Sequence, residues 1–180
     1  MAEAEAENSE AEGFEDSLPR GLWCPPRLRG RNEALIEVAN SLYSVAPRDS
    51  GWSEFFSGAM KELPVQGKRV LDLRAGAGVL AVMAARLGAA AVIAPEALRD
   101  MVELAKANAL RNGVGDVVRI VRGLSTSMKI PASDRADVIV HDLFGSLLLS
   151  ESCLPDLADA RRRLAKPGAQ IIPAGGAQHV

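Results

Sequence analysis

Cysteine and histidine are nearly missing from the chain. Cys24 and Cys153 stand far apart and form no C-x-x-C pair, so neither a disulfide framework nor a zinc site is expected. Two histidines, His141 and His179, leave little material for a metal centre or a histidine-based catalytic triad. Excess charge is also lacking. The formal net charge of −2 argues against direct nucleic-acid binding, which normally brings a strong basic surplus. No apolar run is long and uninterrupted enough to span a bilayer, so no membrane partner is expected. The first sixteen residues are acidic, unlike a secretory or mitochondrial leader. A reducing setting, cytoplasmic or nuclear, is the expectation. What the chain does have is 180 residues at 48% hydrophobic, enough for one packed domain and a tail.

Residues 1–19 are rich in Ala and Glu and bury too little apolar surface to order themselves, so they read as a disordered acidic tail. Residues 20–67 read as a linker followed by N-terminal helices. A helical stripe covers residues 32–42, and a short helix over 52–63 is stopped by Pro64. Residues 68–173 then alternate strand and helix. Strands are expected at Arg69–Leu73, 90–94, 117–121, Ala136–His141 and 169–172, with helices at 79–87, 97–111 and 154–164. Gly88 and Asn112-Gly113 stop two of those helices, and Lys166-Pro-Gly168 breaks the third from the last strand. Residues 174–180 form a short tail. Alternation of this kind implies right-handed crossovers and an α/β, Rossmann-like, doubly wound and mostly parallel sheet with flanking helices.

In such a sheet, ligands bind at the carboxyl ends of the strands, beside the first glycine turn. Here that turn reads Asp72-Leu-Arg-Ala-Gly-Ala-Gly78. Gly76 and Gly78 would also suit a plain strand–helix turn, and a glycine turn alone is a weak signal. Glu96 follows at the end of the second strand, where an acid can accept hydrogen bonds from two ribose hydroxyls. The string from Gly76 to Ala81 satisfies the dinucleotide fingerprint, so a nicotinamide cofactor is one candidate. Charge separates it from the other. NAD sets a pyrophosphate over the turn, whereas S-adenosylmethionine sets a sulfonium and an ammonium there. Four carboxylates on the rim, Asp72, Glu96, Asp142 and Glu151, favour the cationic ligand.

The segment Asp142-Leu-Phe-Gly145-Ser-Leu-Leu-Leu-Ser-Glu151-Ser152 resembles the double-glutamate loop of protein arginine N-methyltransferases. Asp142, Gly145, Leu148, Leu149, Glu151 and Ser152 fit its pattern, and Ala160-Arg161 through Lys166-Pro167-Gly168 to Pro173 is similar to the family's approach to strand five. With Val70-Leu71-Asp72, Gly76, Gly78 and Glu96, the likeness runs over roughly residues 32–173. The resemblance implies a class I S-adenosylmethionine-dependent enzyme. Asp142 and Glu151 would be the catalytic acids, clamping the guanidinium of a protein arginine by paired charge-assisted hydrogen bonds. Asp72, Gly76, Gly78 and Glu96 would hold the cofactor. Ser127 would stand where the family has an adenine-contacting acid, and Tyr43 where it folds an aromatic over the cofactor. The implied protein substrate carries arginine-rich segments.

Three departures shape the expectation. Arg74 occupies the first glycine position of the turn, Asp142 is one carbon shorter than the family's glutamate, and the chain ends at Val180 with no C-terminal β-barrel. The family's barrel covers the rim and gives the dimer surface. The expectation is therefore an incomplete arginine methyltransferase with little activity alone, which associates as a homo- or hetero-oligomer through its uncovered face. A catalytically degenerate binding or regulatory module that partners an active relative is the second reading, and an NAD-binding Rossmann domain the third.

Overall fold

A computed structural model describes residues 50–144 and 152–177. Eight principal elements alternate: α1 (Ser50–Glu62), β1 (Arg69–Leu73), α2 (Val79–Arg86), β2 (Ala91–Glu96), α3 (Arg99–Arg111), β3 (Val118–Arg122), β4 (Ala136–His141), α4 (Cys153–Arg163), and a ninth, β5 (Ala165–Ile172), closes the order. The strands pair in parallel in the order β3-β2-β1-β4-β5. β1 lies at the centre, and the direction of winding reverses between β1 and β4. That reversal is the place where an open α/β sheet leaves a crevice.

Strand alternation sends side chains to opposite faces. Val70, Val138 and Val140 join Leu80, Ala81 and Ala84 of α2 in one apolar cluster, together with Phe56 and Met60 of α1. Leu71, Leu73 and Ile139 join Cys153, Ala160 and Leu164 in a second cluster on the other face, under α4. The central strands are thus covered on both sides, which explains their continuous apolar sequence. α1 packs on the same core as the sheet, although the sequence assigns it to the segment before the domain. Its rings form a chain: Trp52 lies 4.7 Å from Phe56, which meets Phe55 edge-on at 5.2 Å.

Two boundaries differ from the sequence reading for identifiable reasons, and several others shift by a residue or two. β2 runs on through Pro95 to Glu96, because its pairing with β1 stops at Leu71↔Ile93 while the ladder with β3 continues to Glu96↔Arg122. Lys166-Pro167-Gly168 does not end the helix-to-strand connection but lies inside β5. The ladder to β4 slips there, from Ala136↔Ala165 to Val138↔Gln170, and Gly168 adopts φ 79. An edge strand tolerates a missing N–H and a left-handed glycine in a bulge. α3 begins at Arg99, two residues after the expected start. The expected helix at 32–42 and the tail at 1–19 lie outside the described residues.

Candidate functional site

β1 delivers Asp72 to the edge of the crevice and leads into the turn at Arg74, Gly76 and Gly78, with φ of 61, 53 and 77. All three are left-handed. Glycine enters that region freely, whereas for an arginine it costs about 1–2 kcal/mol. Gly78 has a second constraint, since a Cβ there would stand 3.0 Å from the Ala105 Cβ of α3. Asn108 of α3 ties the turn down from the same side, donating Nδ2–H to Ala77 O at 3.0 Å. Turn and helix therefore form one unit.

Gly78, the N-cap of α2, has no side chain with which to cap. Asp72 takes that place from the neighbouring strand, accepting the Ala81 N–H on Oδ2 at 2.9 Å. Its side chain is 1% exposed. Burial pushes its carboxyl up to about 7, against the Ala81 hydrogen bond, and the nearby charges of Glu96 and Asp142 push it further the same way.

Glu96 ends β2 with both oxygens engaged. Oε2 accepts the Gly76 N–H at 2.8 Å and Oε1 the Leu98 N–H at 2.8 Å. The carboxylate is thereby fixed between the glycine turn and the entry to α3. A carboxylate offers about four lone-pair positions, so acceptor capacity remains for two hydroxyl donors. Asp142, just past β4, accepts the indole N–H of Trp52 at 3.2 Å, a bond from α1 that crosses 90 residues. Beside it, His141 is fully buried. Leu143 N–H donates to its Nδ1 at 3.3 Å, and Nε2 lies 3.1 Å from Pro173 O, which assigns the remaining proton to Nε2. Burial lowers its pKa, so the neutral ring is a structural strut at the end of the strand.

A cleft of about 630 Å³ opens at the carboxyl ends of the strands, within the usual range for a small-molecule site. Among the described residues, Glu96, Asp142 and Asp156 supply its acids, Arg74 a basic group, and Leu98, Met101 and Leu124 an apolar side. Of the residues singled out from sequence, Glu96 and Asp142 face this cleft. Asp72, Gly76 and Gly78 lie outside its lining: Gly76 reaches the cleft only through its bond to Glu96, and Asp72 is buried under the start of α2. Ser127 is displaced: it is exposed and outside the lining, while Ser125 and Thr126 of the same segment border the cleft. A three-residue 3₁₀ turn over Ser125–Ser127 rotates successive side chains by about a third of a turn, which accounts for the offset. Glu151 and Tyr43 lie outside the described residues.

The sequence also missed Arg163 and Trp52. Arg163, in the last turn of α4, donates to Met128 O at 2.8 Å and Ser125 O at 2.9 Å. Only the i,i+4 spacing of Asp159 and Arg163 hinted at any pairing. Among the described residues no group of three or more His, Cys, Asp or Glu is arranged to hold a metal, and no helix is long and apolar enough to cross a membrane.

Comparison with known proteins agrees with this geometry. The family model for ribosomal protein L11 methyltransferase (PrmA) matches residues 58–177. Protein arginine N-methyltransferase 7 of Aedes aegypti is 33% identical over 147 residues, covering 76% of this chain and 21% of that protein. Probable protein arginine N-methyltransferase 6.1 of Oryza sativa subsp. indica is 38% identical over 109 residues, 61% of this chain and 28% of that one. The chain thus spans well under a third of the length of these two relatives. Among solved structures, the Trypanosoma brucei PRMT1 enzyme–prozyme heterotetrameric complex with AdoHcy superposes with a TM-score of 0.67 at 26% identity, over 73% of this chain and 41% of that one. Arabidopsis thaliana protein arginine methyltransferase 10 gives 0.65 at 30%, over 72% and 38%. The chain belongs to the methyltransferase family that the PrmA model describes, with the fold of class I S-adenosylmethionine-dependent enzymes, and it is similar to part of the protein arginine N-methyltransferases.

Proposed function

We propose that this chain binds S-adenosylmethionine and serves methyl transfer to a guanidinium nitrogen of protein arginine. The observation that carries the reading is Glu96, set by the Gly76 and Leu98 amides at the lip of a carboxylate-bearing cleft. The donor set fits the cofactor: a fixed acid for two ribose hydroxyls, further acids for its cationic end, and an apolar side at Leu98, Met101 and Leu124 for a base. A pyrophosphate would meet Glu96 and Asp142 instead of amides alone, which disfavours NAD. When bound, S-adenosylmethionine supplies an electrophilic methyl group on a sulfonium.

The residues then divide the work. Glu96 receives the ribose hydroxyls, and Asp72, whose carboxyl stands at about 7, gains negative charge when the cofactor's cationic groups bind above the turn. Asp142, with Glu151 as its proposed second arm, receives the substrate guanidinium and aims one nitrogen. A guanidinium is always charged and rich in N–H donors, so two carboxylates orient it more firmly than one. Ser125 and Thr126 take the place proposed for Ser127 beside the base, and Tyr43 is proposed to lie over the cofactor. Protein segments rich in arginine are the proposed substrate class, and a cytoplasmic or nuclear setting is proposed on the sparseness of cysteine in the sequence.

Calorimetry and thermal melts with S-adenosylmethionine, its demethylated product and NAD test the reading. The first two should bind and raise the melting temperature. If NAD alone does so, the charge argument is wrong. Radiolabelled transfer to arginine-rich peptides should rise in Asp142→Glu and vanish in Glu151→Gln.

A second reading, a regulatory partner of an active methyltransferase, is favoured by one observation: Arg74 holds a strained backbone conformation and borders the cleft. The enzyme–prozyme pairing named for the Trypanosoma brucei relative gives that reading a precedent. Sedimentation at several concentrations distinguishes a monomer from a self-associating chain.

A further inference from the structure

The wall of the cleft that continues from Glu96 is a main-chain turn. Gly123 N–H donates to Glu96 O at 2.9 Å, so the turn after β3 starts directly beside the acid proposed for the ribose. Gly123, Leu124, Ser125 and Thr126 then border the cleft. The turn closes on itself through Ser127 N–H to Leu124 O at 3.0 Å and Met128 N–H to Ser125 O at 3.1 Å. Two bonds of this kind hold a 3₁₀ turn only loosely.

Arg163 holds it from behind. One terminal nitrogen donates to Met128 O at 2.8 Å and the other to Ser125 O at 2.9 Å. Asp159, one helical turn earlier, accepts from Nε at 2.7 Å and also binds Nη2. Hydrogen bonds from Arg163 hold the Asp159 carboxyl below its usual range, and those bonds raise the pKa of Arg163 in turn. A guanidinium is a rigid planar fork, so fixing its Nε edge on Asp159 also fixes the direction of its other donors. An ordinary surface pair on a helix would end at Asp159. Here the same cation reaches two carbonyls 35 and 38 residues away.

We propose that Arg163 is a positioning residue for the nucleoside end of the ligand, acting through the main chain of Ser125 and Met128, with Asp159 orienting it. This rests on the cofactor reading above, and deepens it.

The test uses the full chain and two probes, S-adenosylhomocysteine and 5′-methylthioadenosine, in calorimetry, with melting temperatures measured alongside. Arg163→Met keeps the apolar stem and loses the fork. It should weaken both probes by the same factor, about tenfold, as expected for lost bonds to a charged donor. Arg163→Lys should not rescue, since an ammonium cannot span both carbonyls and the carboxylate in one plane. Asp159→Asn should weaken both probes by a smaller common factor, and Arg163→Met/Asp159→Asn should equal Arg163→Met alone. Should Arg163→Met fail to fold, Asp159→Asn carries the same comparison. A merely structural arginine would lower the melting temperature without this equal loss on the two probes. Variants within about twofold of a wild type that binds both probes overturn the clamp. A loss confined to S-adenosylhomocysteine also overturns it, because the lesion would lie at the amino-acid end. A wild type that binds neither probe overturns the cofactor reading itself.

Discussion

Replacing Asp72 by Asn is the perturbation whose size follows most directly from the structure. The side chain is fully buried, and its carboxyl stands at about 7 rather than 3.8, chiefly through burial and secondarily through Glu96 and Asp142. The folded chain therefore keeps a proton that the unfolded chain releases. Stability from this group is fully present below about pH 3.8 and is lost as pH rises through 7. Across that window the loss is about 4 kcal/mol, of which about 2 kcal/mol falls between pH 5 and pH 7. Asn is nearly isosteric, and its Oδ1 can still accept the Ala81 N–H, so the variant removes the titration and keeps the cap. In a chain of this size, thermal melts should show the wild type falling roughly 4–8 °C relative to Asp72→Asn between those two pH values. A cation bound above the turn favours the ionised carboxylate. Binding of S-adenosylmethionine at pH 7 should accordingly release up to about half a proton, visible by calorimetry in buffers of different ionisation enthalpy. Parallel melting curves for the two proteins from pH 5 to pH 8 would refute the assignment of a raised pKa to Asp72.

Three further outcomes follow from the turn. Gly78→Ala places a Cβ 3.0 Å from Ala105 at φ 77 and should cost about 2 kcal/mol in denaturant titration; a neutral effect would mean that α3 yields. Arg74→Gly relieves a left-handed arginine and should gain about 1 kcal/mol of stability while tightening cofactor binding, with equal or lower melting temperature as the contrary result. Glu96→Ala leaves the Gly76 and Leu98 amides without their acceptor and should weaken S-adenosylhomocysteine about 100-fold, and binding unchanged in that variant would move the ribose site elsewhere.

Central strands were the most legible part of the sequence. Arg69–Leu73 and Ala136–His141 agree with their observed bounds because burial on both faces leaves an unbroken apolar run. Strand β5 was misjudged at its start because Pro167 and Gly168 carry a local breaking signal that pairing with β4 overrides. The acids at the strand ends could be placed by topology alone: once β1, β2 and β4 are parallel neighbours, Asp72, Glu96 and Asp142 must share one rim. Their partners could not. The indole of Trp52 meets Asp142 across 90 residues, and Arg163 grips main-chain carbonyls whose own side chains are irrelevant to the contact. Neither kind of contact imposes a period or a composition on the sequence. Ser127 shows a finer limit, since a turn of three residues decides which of three neighbouring hydroxyls faces inward.

Helix α4 meets the cleft directly at one end and through main-chain bonds at the other. At its start, Ser152 and Asp156 border the cavity; from its last turn, Arg163 secures the backbone of Ser125 and Met128. Eleven helical residues form a stiff rod of about 16 Å. Ser152 directly follows Glu151 in sequence, so on the proposed reading the rod would join the substrate end of the site to the nucleoside end. Were a guanidinium seated at the proposed clamp to shift the rod, the two Arg163 bonds would carry that shift to the β3 turn, and the reverse would hold equally. Thermodynamic reciprocity then gives the pair a common coupling free energy: whatever factor an arginine substrate adds to nucleoside affinity, the nucleoside returns to the arginine.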